Sequence, residues 1–294
     1  MGVLAIAISI LATVFATVTL SINCGMLYKI FVSKRMAQSS SLTLFYLRFF
    51  LDGLLSLDSF VILVFYSFRL SNIQTIFDYD PIIVFYINWP SAILLGIRGL
   101  LVIIITLDRT VAVFLPVIHH KNRSKFSLLI VIFLLFCYVG LENYILWEVC
   151  QFVVYVPPGC INMWCFMNQC FIGFFLKSEM ISHGIIALLS LLLAVKLLIW
   201  NKCSKTSSKS LTRANRLVLI DAFITIIFDI IPAALMTKIY TGKFEDIGPV
   251  VALSKMSGYA LEGYLVVCAL RRIEGKNEAN VKSVSNVRIK PSHG

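Results

Sequence analysis

The side chains with chemistry to offer sit inside apolar runs. Arg48, Asp52 and Asp58 share one run, and Arg98 interrupts the next. Asp221 and Asp229 fall in a later run, and Lys255 and Glu262 in the last. A charge in such surroundings pairs with an opposite charge or lines a polar cavity. Covalent catalysis has no signature here, since HExxH, GxSxG and a glycine-rich phosphate loop are all absent. Thiol chemistry does have one. Cys150, Cys160, Cys165 and Cys170 crowd into one short segment. They allow one or two disulfides among three connectivities, and sequence does not choose among these. Zinc is the alternative partner for the thiolates, but no histidine lies in that segment.

Composition says what must position these groups. Hydrophobic residues make up 59% of the 294 and charged residues 14%, with a mean hydropathy of +0.88. A soluble domain carries roughly 25% charged residues, so lipid must solvate much of this surface. Seven apolar runs stand out: Leu4–Tyr28, Leu42–Phe68, Pro81–Leu107, Phe126–Glu148, Glu179–Trp200, Leu217–Ile239 and Pro249–Leu270. Each approaches or exceeds the ~20 residues that a membrane helix needs. The alternating segments of a β-barrel are missing, and no internal repeat suggests an inverted-repeat transporter. The first run has no Lys or Arg before it, so it reads as a retained span rather than a signal peptide. The expected fold is an all-α, seven-transmembrane helix bundle over residues 1–270. A disordered tail, 271–294, follows. No cofactor or metal is expected. The net charge of +11 does not point to nucleic acid, because the basic residues lie in the gaps between apolar runs.

Those gaps set the orientation. Of 26 Lys and Arg, eighteen fall in Lys29–Ser41, Arg109–Lys125, Asn201–Arg216 and the tail from Arg271. Only Arg69, Lys177, Lys238 and Lys243 fall on the other side. The positive-inside rule therefore puts the N-terminus outside and the C-terminus in the cytosol. The four clustered cysteines then face an oxidising space, where disulfides form. Cys24, Cys137 and Cys268 read as packing residues in spans. Cys203 lies just inside the membrane, as an idle thiol or a palmitoylation site. The sequon at Asn122 falls on the cytosolic side and reads as a chance match.

Depth ranks the buried charges. Arg98 lies eleven residues before Arg109, hence ~16 Å deeper at 1.5 Å per residue. A guanidinium there stays charged and needs an anion. Asp52 has a similar depth in the second span and is the expected partner, with Asp58, Asp229 and Glu262 as competitors. Arg48 and Asp52, four apart, share a helix face. Asn23, Asp52, Arg98, Asp229 and Glu262 form the expected intramembrane polar network. Asp58, Lys255 and Tyr259 are the candidate ligand-cavity residues. Pro232, inside the sixth span, removes a backbone bond and bends that helix.

Together these residues carry a resemblance. Seven spans, an outside N-terminus, Asp108-Arg109 closing the third span and a proline in the sixth resemble a G-protein-coupled receptor. The short N-terminus, the length and the cysteine-rich second outer loop around Pro157-Pro158-Gly159-Cys160 resemble the srbc-type nematode serpentine chemoreceptors. Asp108-Arg109 resembles the receptors' Asp-Arg-Tyr motif, with Thr110 in place of Tyr. Asn23 and Asp52 resemble the polar pair of rhodopsin-like receptors. Arg98 stands where those have a small polar residue facing sodium, which implies no sodium site. The departures are clear. The third span has no outer cysteine, the sixth has Asp229-Ile230-Ile231-Pro232 for Cys-Trp-x-Pro, and the seventh lacks Asn-Pro-x-x-Tyr. The resemblance implies an external small-molecule ligand and signalling to a heterotrimeric G protein. It further implies a plasma-membrane location, in a sensory cilium. G-protein coupling would fall to Asp108, Arg109, Lys121, Arg123, Arg213 and Arg216. The rival readings are a transporter or channel with the buried charges as its pathway, and a seven-span membrane enzyme.

Overall fold

Helix lengths follow the apolar runs. The computed structural model describes residues 3–33, 43–70, 82–122, 128–157, 160, 163–203, 219–220, 222–232 and 249–287. Helix α1 is Val3–Leu27, extended by a π-helical turn at Tyr28–Val32. Helix α2 is Thr43–Leu70 and α3 is Ile82–Phe114. A short helix α4, Pro116–Asn122, follows α3. Helix α5 is Leu128–Tyr144, ending in a π-helical turn at Ile145–Val149. Helix α6 is Gln169–Cys203. Helix α7 is described over 219–220 and 222–232, and α8 is Val250–Val287. No strand occurs among the described residues. Five of these helices are long and apolar enough to cross a membrane, namely α1, α2, α3, α5 and α6. The molecule is an all-α membrane protein.

The fifth span starts earlier than the apolar run suggests. Sequence opens it at Glu179, but α6 begins at Gln169. Two local features explain the difference. Asn168 caps the helix, its Oδ1 accepting the Phe171 N–H at 3.0 Å, the usual N-cap arrangement. The Phe171–Phe175 run then packs inward, with Phe171 and Phe175 buried. Lys177 therefore belongs to the helix rather than to a loop, and Glu179 lies well inside it.

Two disulfides close the segment between α5 and α6. Cys150 joins Cys170 with a Cα–Cα distance of 5.6 Å, and Cys160 joins Cys165 at 5.8 Å. Asn168 Nδ2 also donates to the Cys150 carbonyl at 2.7 Å. Beneath this cap lies an aromatic layer on the end of α3. Phe85 stacks on Trp89 and on Phe152, with centroids 6.0 and 5.9 Å apart. Trp89 meets Phe171 at 5.6 Å. The bundle thus has a disulfide end and, at the other end of α3, an Asp108–Arg109 end.

Outward faces carry large apolar side chains, such as Leu129, Phe133 and Phe136 on α5 and Leu188 and Leu191 on α6. With lipid as solvent this is the expected pattern. Cys24, Cys137 and Cys268 sit on these outer faces rather than packing inside as sequence suggested. A thiol is apolar enough to lie against lipid at little cost.

Candidate functional site

Charged chemistry occupies three levels of the bundle. The deepest is a closed square of ions. Arg98 Nε donates to Asp52 Oδ1 at 2.7 Å, and Arg98 Nη2 to Glu262 Oε2 at 3.3 Å. Arg48 Nε lies 3.5 Å from Asp52 Oδ2, and Arg48 Nη2 pairs with Glu262 Oε1. Each arginine bridges both carboxylates, and each carboxylate bridges both arginines. All four are almost fully buried. Helices α2, α3 and α8 supply the members, so the square ties three spans together. Tyr259 covers it on one side, with the Arg98 guanidinium carbon 4.1 Å from the ring centre.

The square holds Asp52, Arg98 and Glu262 of the expected network but not the rest. Asn23 donates to the Thr19 carbonyl of its own helix at 3.1 Å, beside Gly53. Asp229 belongs to a different level. Arg48, the fourth corner, was legible only as a helix-face neighbour of Asp52.

The second level lies nearer the disulfide end. Lys255 Nζ sits 2.6 Å from Glu179 Oε1 and 2.9 Å from Asp229 Oδ1. His183 Nε2 lies 3.2 Å from Asp229 Oδ2. Glu179 and His183 are four apart and so share one face of α6. Glu179, His183 and Asp229 could together hold a metal ion. The ammonium of Lys255 already bridges two of them.

Asp229 reaches this cluster from α7, three residues before Pro232. Pro232 has no N–H to give to the carbonyl four residues back, that of Phe228. Ser254 Oγ on α8 donates to the Phe228 carbonyl instead, at 2.8 Å. A neighbouring hydroxyl that satisfies a freed carbonyl is how membrane helices tolerate proline. The π-helical turn Ile226–Ile230 carries Asp229 within it. Gly258 of α8 permits the close approach, since a Cβ there would meet Phe228 Cβ at 2.6 Å.

A cavity opens beside these groups. It is small, and Arg98, Tyr138, Glu142, Glu179, Asp229 and Tyr259 line it. Of the expected cavity residues, Tyr259 lines it and Lys255 stands behind Glu179 and Asp229. Asp58 is not among the lining residues. It is hydrogen-bonded to Ser91 between α2 and α3. Glu142 and Tyr138 on α5 were not singled out in the sequence. The available signal was a lone acid inside the fourth apolar run. Gly96 on α3 faces both, and a Cβ there would meet Tyr138 Cε1 at 2.8 Å.

The third level is the Asp108–Arg109 end. Arg109 Nη2 lies 2.6 Å from Asp108 Oδ2, and the arginine is buried. His119 Nε2 on α4 reaches Asp108 Oδ1 at 2.9 Å. Helix α4 thereby folds back on the pair. Lys121 is exposed on the same short helix. Arg123, Arg213 and Arg216 lie outside the described residues.

The sequence matches the serpentine type 7TM GPCR chemoreceptor family Srbc over residues 1–274. A match over nearly the whole chain makes the protein a member of that family. It is therefore a seven-transmembrane protein of a chemoreceptor class. No curated protein matches the chain.

Proposed function

We propose that this chain is a receptor at the plasma membrane, in a sensory cilium, that detects an external small molecule. It passes the signal to a heterotrimeric G protein. The disulfide end faces outside in this reading and the Asp108–Arg109 end faces the cytosol, as the basic gaps require. The observation that carries it is the pairing of a cavity beneath a disulfide-closed cap with a buried Arg109, paired to Asp108, at the opposite end of α3. Ligand binding shifts an existing equilibrium toward a state in which the Asp108–Arg109 end opens. Arg109 then leaves Asp108 and meets the G protein, with Lys121, Arg123, Arg213 and Arg216 around it. Pro232 and its Ser254 bond form a bend that can repack between the two states.

The test is a calcium or cAMP readout of the expressed protein against an odorant panel. At least one odorant should give a response that Arg109→Ala removes when compared at matched surface expression. A response that persists in Arg109→Ala would count against the coupling role. Tags check the topology: one before Met1 should be reached in intact cells, and one after Gly294 only after permeabilisation. The reverse pattern would put Asp108 and Arg109 outside and end this reading.

A further inference from the structure

Charge matching around the cavity leaves one acid over. Asp52 and Glu262 each meet two arginines. Asp229 meets Lys255 and His183, and Glu179 meets Lys255. Glu142 meets no cation among the described residues. Its hydrogen-bond partner is the neutral hydroxyl of Tyr138, which also contacts Ser178 Oγ at 3.3 Å. Glu142 is nonetheless 2% exposed and lines the cavity. An acid at membrane depth with no opposite charge is costly and marks a functional position.

The rest of the lining points the same way. Arg98 is committed to Asp52 and Glu262. One lysine serves two carboxylates, Glu179 and Asp229. The wall is therefore short of positive charge, by Glu142 above all. An ammonium is already accepted a few side chains away, since Lys255 sits between Glu179 and Asp229. Leu95 and Phe175 offer apolar walls beside Glu142. A ligand with one ammonium and a short hydrocarbon body fits this lining. The ammonium supplies the missing charge and a charge-assisted hydrogen bond.

We propose that the cavity binds a small protonated amine, with the Glu142 carboxylate as its counter-ion. This inference rests on the receptor reading only in taking the cavity as the ligand site. Glu142 and Tyr138 come from α5, Gly96 and Arg98 from α3, and Glu179 from α6. An amine bound here touches three spans at once. Gly96 leaves the room that the Glu142 and Tyr138 side chains take beside the cavity, since any larger residue there would press on both.

The experiment uses the purified full-length chain in lipid nanodiscs, without G protein. The probes are 3-methylbutylamine, its neutral isostere 3-methylbutan-1-ol, and 3-methylbutanoic acid. Thermal unfolding is followed against probe concentration. The amine should raise the melting temperature in a saturable way, and the alcohol and acid should not. Glu142→Gln should raise the half-saturating amine concentration at least tenfold. Glu142→Asp, which keeps the charge but shortens its reach, should raise it severalfold. If the Gln variant does not fold, the Asp variant decides. No stabilisation by the amine would overturn the proposal, as would equal stabilisation by the alcohol or acid. Unchanged amine binding in the folded variants would overturn it too. With no G protein present, failed coupling cannot produce any of these results. Failure here likewise leaves the receptor reading standing with a different ligand class.

Discussion

The ion square and the cavity wall are built from the same residue types and behave differently. In the square, two arginines and two acids satisfy one another, and no charge is left for anything else. At the wall, two acids share Lys255, which stands behind them, and Glu142 has only a tyrosine hydroxyl. Balanced charge at membrane depth fixes helices against one another. Unbalanced charge waits for a partner from outside the chain. The comparison predicts that damage to the square is felt as lost stability, and damage to the wall as lost response.

The largest effect should come from breaking the square. Removing one member of a buried ion pair costs about 3–5 kcal/mol, because the partner is stranded. Arg98→Leu or Asp52→Leu alone should sharply lower surface expression and melting temperature. Together they leave Arg48 with Glu262, a matched pair, so the double variant should recover much of the loss. A double variant as poor as the sum of the singles would mean that the two do not act as a pair. The same cycle on Glu142 should show little loss of stability, which sharpens the contrast.

Next in size are the cap disulfides. Loop-closure entropy assigns about 3 kcal/mol to a bond closing a loop the size of Cys150–Cys170, and about 2 kcal/mol to the shorter Cys160–Cys165. Cys150→Ser with Cys170→Ser should therefore lower thermal stability more than Cys160→Ser with Cys165→Ser. Equal losses would show that the cap is held by its aromatic layer and not by the longer bridge.

A smaller effect is expected at Pro232 and the Ser254 bond beside it. Interhelical hydrogen bonds in membranes contribute about 0.6 kcal/mol on average, up to about 1.7. Ser254→Ala should destabilise by about that much, since it strands the Phe228 carbonyl. In a Pro232→Ala background the carbonyl can take its own helix N–H, and the same Ser254→Ala change should then have almost no effect. Two independent, additive losses in a melting experiment would contradict this account of the bend.

Several of these features are legible in the sequence. Most spans follow from the apolar runs, and depth favours Asp52 as the partner of Arg98, with Asp58, Asp229 and Glu262 as competitors. The disulfide pairing was not readable, because three connectivities are equal until the chain is folded. Glu142 escaped because one acid in an apolar run carries no sign of what faces it. Its meaning comes from Gly96 and Tyr138, which only helix packing brings beside it. The start of α6 was missed because Lys177 and Glu179 look like a boundary in sequence. In the fold, Glu179 lies inside the helix and pairs with Lys255 of α8. Asp229 is a competitor for Arg98 in the sequence, but in the fold it meets Lys255 and His183.

The central claim is that the protein is a receptor acting on a G protein, and guanine-nucleotide exchange measures that step itself. The purified full-length chain in nanodiscs would be mixed with purified heterotrimeric G proteins, and nucleotide uptake followed with and without an activating odorant. The account predicts odorant-stimulated exchange that Arg109→Ala abolishes. It also predicts a raised odorant-free rate in His119→Ala, where Asp108 loses its second partner. Odorant-driven flux of solute or ions across sealed vesicles, with no exchange on any G protein, would contradict it and favour a transporter or channel.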